Sequence, residues 1–183
     1  PATSGVRAAA ASRSAPRGML LRIGASEEDV LFVQSNLAVT YDNLGRFRES
    51  LPLKRAVYFG FLKLNGEEHG HTLTTALNYS SSLYGLQRFG EVKSLLRKMI
   101  PVARRALGES HELTLRMRWC YAIALYQDPA ATLNDVREAV TTLGDGERIA
   151  RRVLGGAHPL TSAIEGDLRA ARAALAARET PRA

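Results

Sequence analysis

A short motif that returns at a fixed interval constrains this chain more than any other feature. Its clearest copies are Leu107-Gly108-Glu109-Ser110-His111-Glu112-Leu113-Thr114 and Leu154-Gly155-Gly156-Ala157-His158-Pro159-Leu160-Thr161, with a third at Asn65-Gly66-Glu67-Glu68-His69-Gly70-His71-Thr72. Gly66 and Gly108 lie 42 residues apart, as do His69 and His111, whereas His111 and His158 lie 47 apart, so one unit carries about five extra residues. Counting back 42 from Gly66 reaches Gly24, in a degraded copy that has Glu27 where the others have histidine. Asn36 and Asn78, Leu44 and Leu86, Arg46 and Arg88, Phe47 and Phe89, and Glu49 and Glu91 keep the same register. A period of this length marks a stack of supersecondary units, each too small to bury its own apolar face.

Within a unit the apolar spacing is helical. Leu73, Ala76, Leu77, Ser80 and Tyr84 follow the i, i+3, i+4, i+7, i+11 stripe of one helix, here helix A. After a break at Gly85-Leu86-Gln87, the residues Val92, Leu95, Leu96, Met99, Ala103 and Ala106 repeat the stripe for a longer helix B, which Gly108 should stop. Pro101 predicts a kink or an early end near Ile100, because proline removes a helical hydrogen bond. In the third unit Pro129 falls in the A-to-B turn and Thr132 offers an N-cap. Val136, Ala139, Val140, Leu143, Ala150, Val153 and Leu154 stay in phase across Gly144-Asp145-Gly146, which predicts one long helix with a soft middle. The expectation is an all-α chain with a repeat domain over 23–178: units at about 23–64, 65–106 and 107–153, then a capping helix over 158–178 and a tail over 179–183.

At 183 residues, 45% of them hydrophobic, the chain can form one domain with a shared core. The single Cys120 allows no internal disulfide and no cysteine-based metal site, which favours a reducing compartment and a cytoplasmic location. No run approaches the roughly 20 apolar residues of a membrane-spanning helix. A net charge of +7 raises the expectation of acidic partners, whether an acidic peptide, nucleic acid or an anionic membrane surface. That charge is unevenly placed. No acidic residue precedes Glu27, and Arg7, Arg13, Arg17 and Arg22 stand among alanines, serines, glycines and prolines. Such a composition predicts a flexible basic tail over 1–22; it is also that of a transit-peptide remnant, with an organelle as the alternative location.

Catalytic and metal patterns do not emerge. His69, His111 and His158 hold the same place in successive units; stacked helices sit about 8–10 Å apart, while zinc ligands each lie near 2 Å from the metal. These histidines therefore cannot converge and are expected to bond neighbouring backbone, and His71 beside His69 gives at most two ligands. Ser110-His111-Glu112 has the residue types of a triad, but adjacent residues on one loop point apart. No G-x-S-x-G, H-E-x-x-H or P-loop pattern occurs. Cys120 falls mid-helix at the register of Asn36 and Asn78 and reads as a buried structural thiol. No enzyme activity, metal or cofactor is expected. The basic residues of the B helices (Lys93, Arg97, Lys98, Arg104, Arg105, Arg148, Arg151, Arg152) offer an RNA-binding alternative. Glu91, Glu109, Glu138 and Glu147 among them, and few aromatic residues, favour a solvated convex face instead.

The motifs Asn36-Leu37-Ala38-Val39-Thr40-Tyr41 in helix A and Gly45-Arg46-Phe47-Arg48-Glu49-Ser50 opening helix B resemble the tetratricopeptide repeat. The usual period there is about 34 residues. A 42-residue unit with L-G-x-x-H-x-x-T between hairpins is similar to the repeats of kinesin light chain-like proteins. Eight more residues lengthen the hairpin by about two turns. The resemblance implies an α-solenoid coiled into a right-handed superhelix, with helix A lining a concave groove that binds a protein or peptide without catalysis. Carried across by register, the candidate contacts are Phe32, Ser35, Asn36, Val39 and Asn43 in the first unit, then Thr74, Asn78, Ser81 and Tyr84 in the second. In the third unit they are Arg116, Trp119, Ile123 and Tyr126. Asparagine amides suit an extended peptide backbone, Arg116 a carboxylate, and Trp119 a large rigid contact.

Overall fold

A computed structural model describes residues 24–179, and the basic tail expected over 1–22 lies outside them. Seven helices follow one another: α1 (Glu27–Asn43), α2 (Phe47–Asn65), α3 (Gly70–Gly85), α4 (Phe89–Leu107), α5 (Glu112–Gln127), α6 (Leu133–Val153) and α7 (Pro159–Glu179). There is no strand among the described residues. Each helix packs on the one before and the one after it, so α1/α2, α3/α4 and α5/α6 are successive A/B hairpins and α7 is a further A helix. No helix of the described residues is long and apolar enough to cross a membrane.

The repeated motif is the joint between units. Gly66, Gly108 and Gly155 follow the B helices with φ of 80°, 93° and 92°, a left-handed conformation open to glycine and costly for other residues. Next comes the histidine, which is the N-cap of the following A helix. The Nδ1 atoms of His69, His111 and His158 accept from the backbone N–H of His71, Leu113 and Leu160 at 3.3, 3.1 and 3.2 Å. Each occupies a helix N–H that would otherwise lack a partner. In the first unit the cap is not at Glu27 but at Ser26, whose hydroxyl accepts from Asp29 N–H while the Asp29 carboxylate accepts from Ser26 N–H. Those hydrogen bonds hold the Asp29 carboxyl below the usual range. Thr132 caps α6 in the same way with Asp135.

Pro101 does not end its helix: α4 continues to Leu107, with Met99, Val102 and Ala103 buried on either side of the proline. That packing offsets the missing hydrogen bond. Through Gly144-Asp145-Gly146 α6 is likewise continuous, because Leu143, Gly146 and Ala150 are all buried. One core extends from Tyr58 in α2 to Ala171 in α7, and Leu31, Val57 and Phe61 make a small separate one between α1 and α2. In α5 the residues Leu115, Met117, Tyr121, Ala122, Ile123, Ala124 and Leu125 are all buried, since α3, α4, α6 and α7 surround it.

The motif threonines Thr72, Thr114 and Thr161 are wholly buried. Thr161 donates to the Gly155 carbonyl at 2.9 Å, whereas the hydroxyls of Thr72 and Thr114 find no partner. A buried hydroxyl without a hydrogen bond costs on the order of 1–3 kcal/mol. Thr114→Val should therefore raise the melting temperature by about 2–4 °C per kcal/mol regained, while Thr161→Val lowers it; thermal unfolding followed by circular dichroism checks the opposite signs.

Candidate partner-binding groove

The A helices approach one another more closely than the B helices do. α3 touches α5 and α5 touches α7, whereas no two B helices share a contact of that extent among the described residues. Between α3 and α5, on the A-helix side, opens a cleft of about 250 Å³ lined by Leu77, Asn78, Ser81, Tyr84, Arg116, Trp119, Cys120 and Ile123. Its side chains come from one helical stripe on each helix, Leu77-Asn78-Ser81-Tyr84 and Arg116-Trp119-Cys120-Ile123, because residues three and four apart share a face.

Hydrogen bonds at one recurring register position tie these helices together. Asp42, Tyr84 and Tyr126 are spaced by 42, and each reaches the next A helix. Asp42 accepts from the Ser82 hydroxyl at 3.0 Å, Tyr84 donates to Gln127 Oε1, and Tyr126 donates to Asp167 Oδ1 at 2.6 Å. Gln127 in turn donates to the Tyr126 hydroxyl at 3.0 Å, and the Trp119 indole N–H donates to Asp167 Oδ2 at 2.7 Å. A continuous chain of groups thus runs Tyr84, Gln127, Tyr126, Asp167, Trp119 across α3, α5 and α7. At the first joint the position is ionic: buried Lys54 pairs with Asp42, which also accepts from Ser50. Burial and then the Asp167 carboxylate push the Tyr126 phenol up to about 12, and burial raises Tyr84 as well.

Of the residues expected from the sequence, Asn78, Ser81, Tyr84, Arg116, Trp119 and Ile123 line this one cleft. Asn36, Asn43, Thr74 and Tyr126 do not. Asn36, Asn43 and Thr74 are exposed elsewhere on the A helices, together with Val39, while Ser35 is half-buried. Phe32 is 40% exposed and meets Phe61 edge-on, with ring centroids 5.3 Å apart. Arg116 already holds a carboxylate, bonding Glu112 Oε1 through Nε at 2.9 Å and Nη2 at 2.8 Å. Cys120 lines the cleft half-buried, and burial pushes its thiol up, away from the reactive thiolate. The sequence reading missed Leu77 and Cys120 as lining residues and Asp167 as the acceptor that orients Trp119, which no repeat spacing announces because the last unit is offset by 47.

Charge is distributed differently from what the whole chain implies. Five of the 25 basic residues (Arg7, Arg13, Arg17, Arg22, Arg182) and none of the 18 acidic ones lie outside 24–179, which leaves the described body at +2. Most B-helix cations have partners: Lys93 with Asp128 at 2.7 Å, Arg104 with Glu109 at 2.8 Å, Arg105 with Glu67 and Glu68, and Arg148 with Asp145. Arg151 pairs with Glu147 and Glu165, and Arg97 bonds the Tyr121 hydroxyl.

The titration of Tyr126 gives a test of the relay. Its folded value of about 12 exceeds the ordinary tyrosine value near 10, so the neutral phenol contributes stability below about pH 10. That contribution is lost as pH rises from about 10 to about 12. Asp167→Asn should bring the Tyr126 transition back toward 10, and Tyr126→Phe should remove the highest-lying transition, both read from tyrosinate absorbance.

No protein-family model matches the chain, and no curated protein matches it. Solved structures do. A putative kinesin light chain of Podosopora anserina with nearly identical TPR-like repeats is 24% identical, with 81% of this chain and 68% of that chain covered and a TM-score of 0.70. A single-substitution variant of that protein is 23% identical, covering 88% of this chain and 74% of that one with a TM-score of 0.72. BtubC (BKLC) from P. vanneervenii is 14% identical over 87% of this chain and 70% of that one, at 0.55. Likeness at these identities speaks for architecture, and it agrees with the hairpins, joints and shared core: the chain has the all-α solenoid fold of TPR-like helical repeats.

Proposed function

We propose that the chain is a non-catalytic scaffold that docks a partner protein through a segment lying along its A helices, with the cleft between α3 and α5 as the principal contact. The observation that carries this is the make-up of the cleft. Leu77, Trp119 and Ile123 offer an apolar seat, Asn78 and Ser81 offer amide and hydroxyl groups to an extended backbone, and Arg116 stands at 53% side-chain exposure. A pocket of this kind, apolar with a few polar groups placed around it, suits one anchoring side chain of a peptide. The Trp119 indole is pre-oriented by Asp167, which lowers the ordering cost of binding. An acidic residue beside the anchor would compete with Glu112 for Arg116. The preference for acidic groups in the ligand rests on that local guanidinium, since a body charge of +2 provides little long-range attraction. The pairing of B-helix cations supports a protein partner over RNA, because phosphate tracking draws on cations free to exchange counterions. The lone thiol supports a reducing compartment such as the cytoplasm.

Selection from a random peptide display library against the chain, followed by titration of the best peptide, tests the assignment. Arg116→Ala and Asn78→Ala should weaken binding about 10-fold and Trp119→Ala about 30-fold, with folding of each variant verified first. Arg152→Ala on the B side should change it less than about twofold. A larger loss from Arg152→Ala than from the cleft variants, or stronger binding to single-stranded RNA with steep salt dependence, would move the site to the B helices.

A further inference from the structure

Grooves on the B-helix side recur with the units, and one of them is completed by the chain itself while its neighbour is not. Between α4 and α6 lies a groove of about 330 Å³ whose lining includes Lys93, Ser94, Arg97 and Asp135. There Arg97 donates to the Tyr121 hydroxyl through Nη2 at 2.9 Å and Nε at 3.2 Å, and that hydroxyl donates to Glu138 Oε1 at 2.7 Å. A guanidinium, a phenol and a carboxylate from α4, α5 and α6 thus close on one another. The preceding groove, between α2 and α4, is larger at about 570 Å³ and is built in the same register. α4 follows α2 at an offset of 42, since Phe47 and Phe89 open them; α6 follows α4 at 44, since Phe89 and Leu133 open them and Val92 and Met99 are buried as Val136 and Leu143 are. Arg97, Tyr121 and Glu138 therefore correspond to Arg55, Tyr79 and Ser94. Arg55 and Tyr79 line the larger groove together, but a serine stands where the carboxylate should be. Among the described residues neither the Arg55 guanidinium nor the Tyr79 hydroxyl has a hydrogen bond or an ion pair. Both are nevertheless placed: the guanidinium lies over the Phe59 ring, 5.8 Å from its centroid, and the Tyr79 ring stacks on Tyr58 at 6.2 Å.

We propose that the α2/α4 groove is a second docking site, separate from the α3/α5 cleft, for a segment of a partner protein that brings an Asp or Glu side chain to Arg55 and Tyr79 and lays an adjoining apolar residue against Leu51 and Phe59. The carboxylate is called for by the completed groove: Glu138 shows which group this register accepts beside an arginine and a tyrosine, and a guanidinium with a phenol hydroxyl supplies the donors that such an acceptor uses. Charge complementarity leaves that role to Arg55, because Arg88, the other cation of the lining, already holds Glu91. The apolar neighbour follows from how the two grooves differ. Lys93, paired with Asp128 at 2.7 Å in the completed groove, has Leu51 as its counterpart, and Ser94 has Pro52. Pro101 has Phe59, which is 50% exposed. An ion pair fills the one groove, and an apolar wall lines the other.

Ser94→Glu supplies the carboxylate from within the chain and so closes the groove, which gives a direct test. A displayed library of random heptapeptides is depleted on the folded Ser94→Glu variant and then selected on the full chain. The peptides that survive should share an Asp or Glu next to an apolar residue. In titrations of the best one, replacing its acid by the amide or introducing Arg55→Ala should each weaken binding at least about tenfold, and Tyr79→Phe, which keeps the stack on Tyr58, about fivefold. Arg116→Ala should leave the affinity within about twofold, which separates this site from the α3/α5 cleft. No surviving peptide, or survivors without an acidic residue, would overturn the proposal. Dependence on Arg116 in place of Arg55 would put the peptides in the other cleft and equally overturn it. Displacement of the peptide by single-stranded oligouridylate at lower concentration than by the free peptide would give the groove to a phosphate backbone and overturn it as well.

Discussion

No hairpin of this chain can bury its own apolar surface, and the arrangement of all seven helices follows from that. A pair of helices hides one stripe of each from water and leaves the opposite faces wet, so each unit is stable only where the next one covers it. Burying one Leu, Ile or Phe side chain contributes about 1.5–3 kcal/mol, and the central α5 buries more hydrophobic residues of all kinds than any other helix among the described residues. The core is accordingly a single body from α2 to α7 rather than three separate ones. Specificity of stacking comes from the joints, where a left-handed glycine turns the chain and a histidine caps the next helix in the same few residues.

The candidate site is a by-product of this stacking. Bringing α3 and α5 together leaves a cleft where their stripes diverge, and the position that recurs at 42, 84 and 126 fixes how far apart they stand. Its chemistry changes along the stack while its task does not: a carboxylate at the first joint and phenols at the next two, each bonded to the following A helix. Such a constant geometry with variable side chains explains why the cleft is built from unlike residues on the two helices.

Much of this was legible in the sequence because the repeat multiplies every signal. Helix bounds follow from the stripes and the glycine-histidine joints, and the cleft residues Asn78, Ser81, Tyr84, Arg116 and Trp119 follow from the register once the resemblance to tetratricopeptide-like repeats puts helix A along the groove. What escaped were features that depend on a third partner. Pro101 reads as a break, yet the packing of Met99 and Ala103 carries the helix through. Asn36 shares the register of Asn78, but α1 does not pack on α3 as α3 packs on α5, so Asn36 lines no such cleft. Arg116 and Trp119 look free in sequence, and their acceptors, Glu112 and Asp167, are evident only once the helices are placed. The left-handed Gln87, at φ 57°, fills the turn position that Gly45 takes in the first unit, and nothing in its residue type announces it.

The relay from Tyr84 to Trp119 has a consequence for how binding and architecture relate. Trp119 is at once a wall of the cleft and a tether of α7 through Asp167. For a ligand seated in the cleft as proposed, binding and attachment of the last helix are linked equilibria: any factor by which the ligand tightens or slackens that tether is the factor by which the tether alters the ligand's affinity. The wall of the cleft and the anchorage of the far end of the stack are thus one and the same side chain.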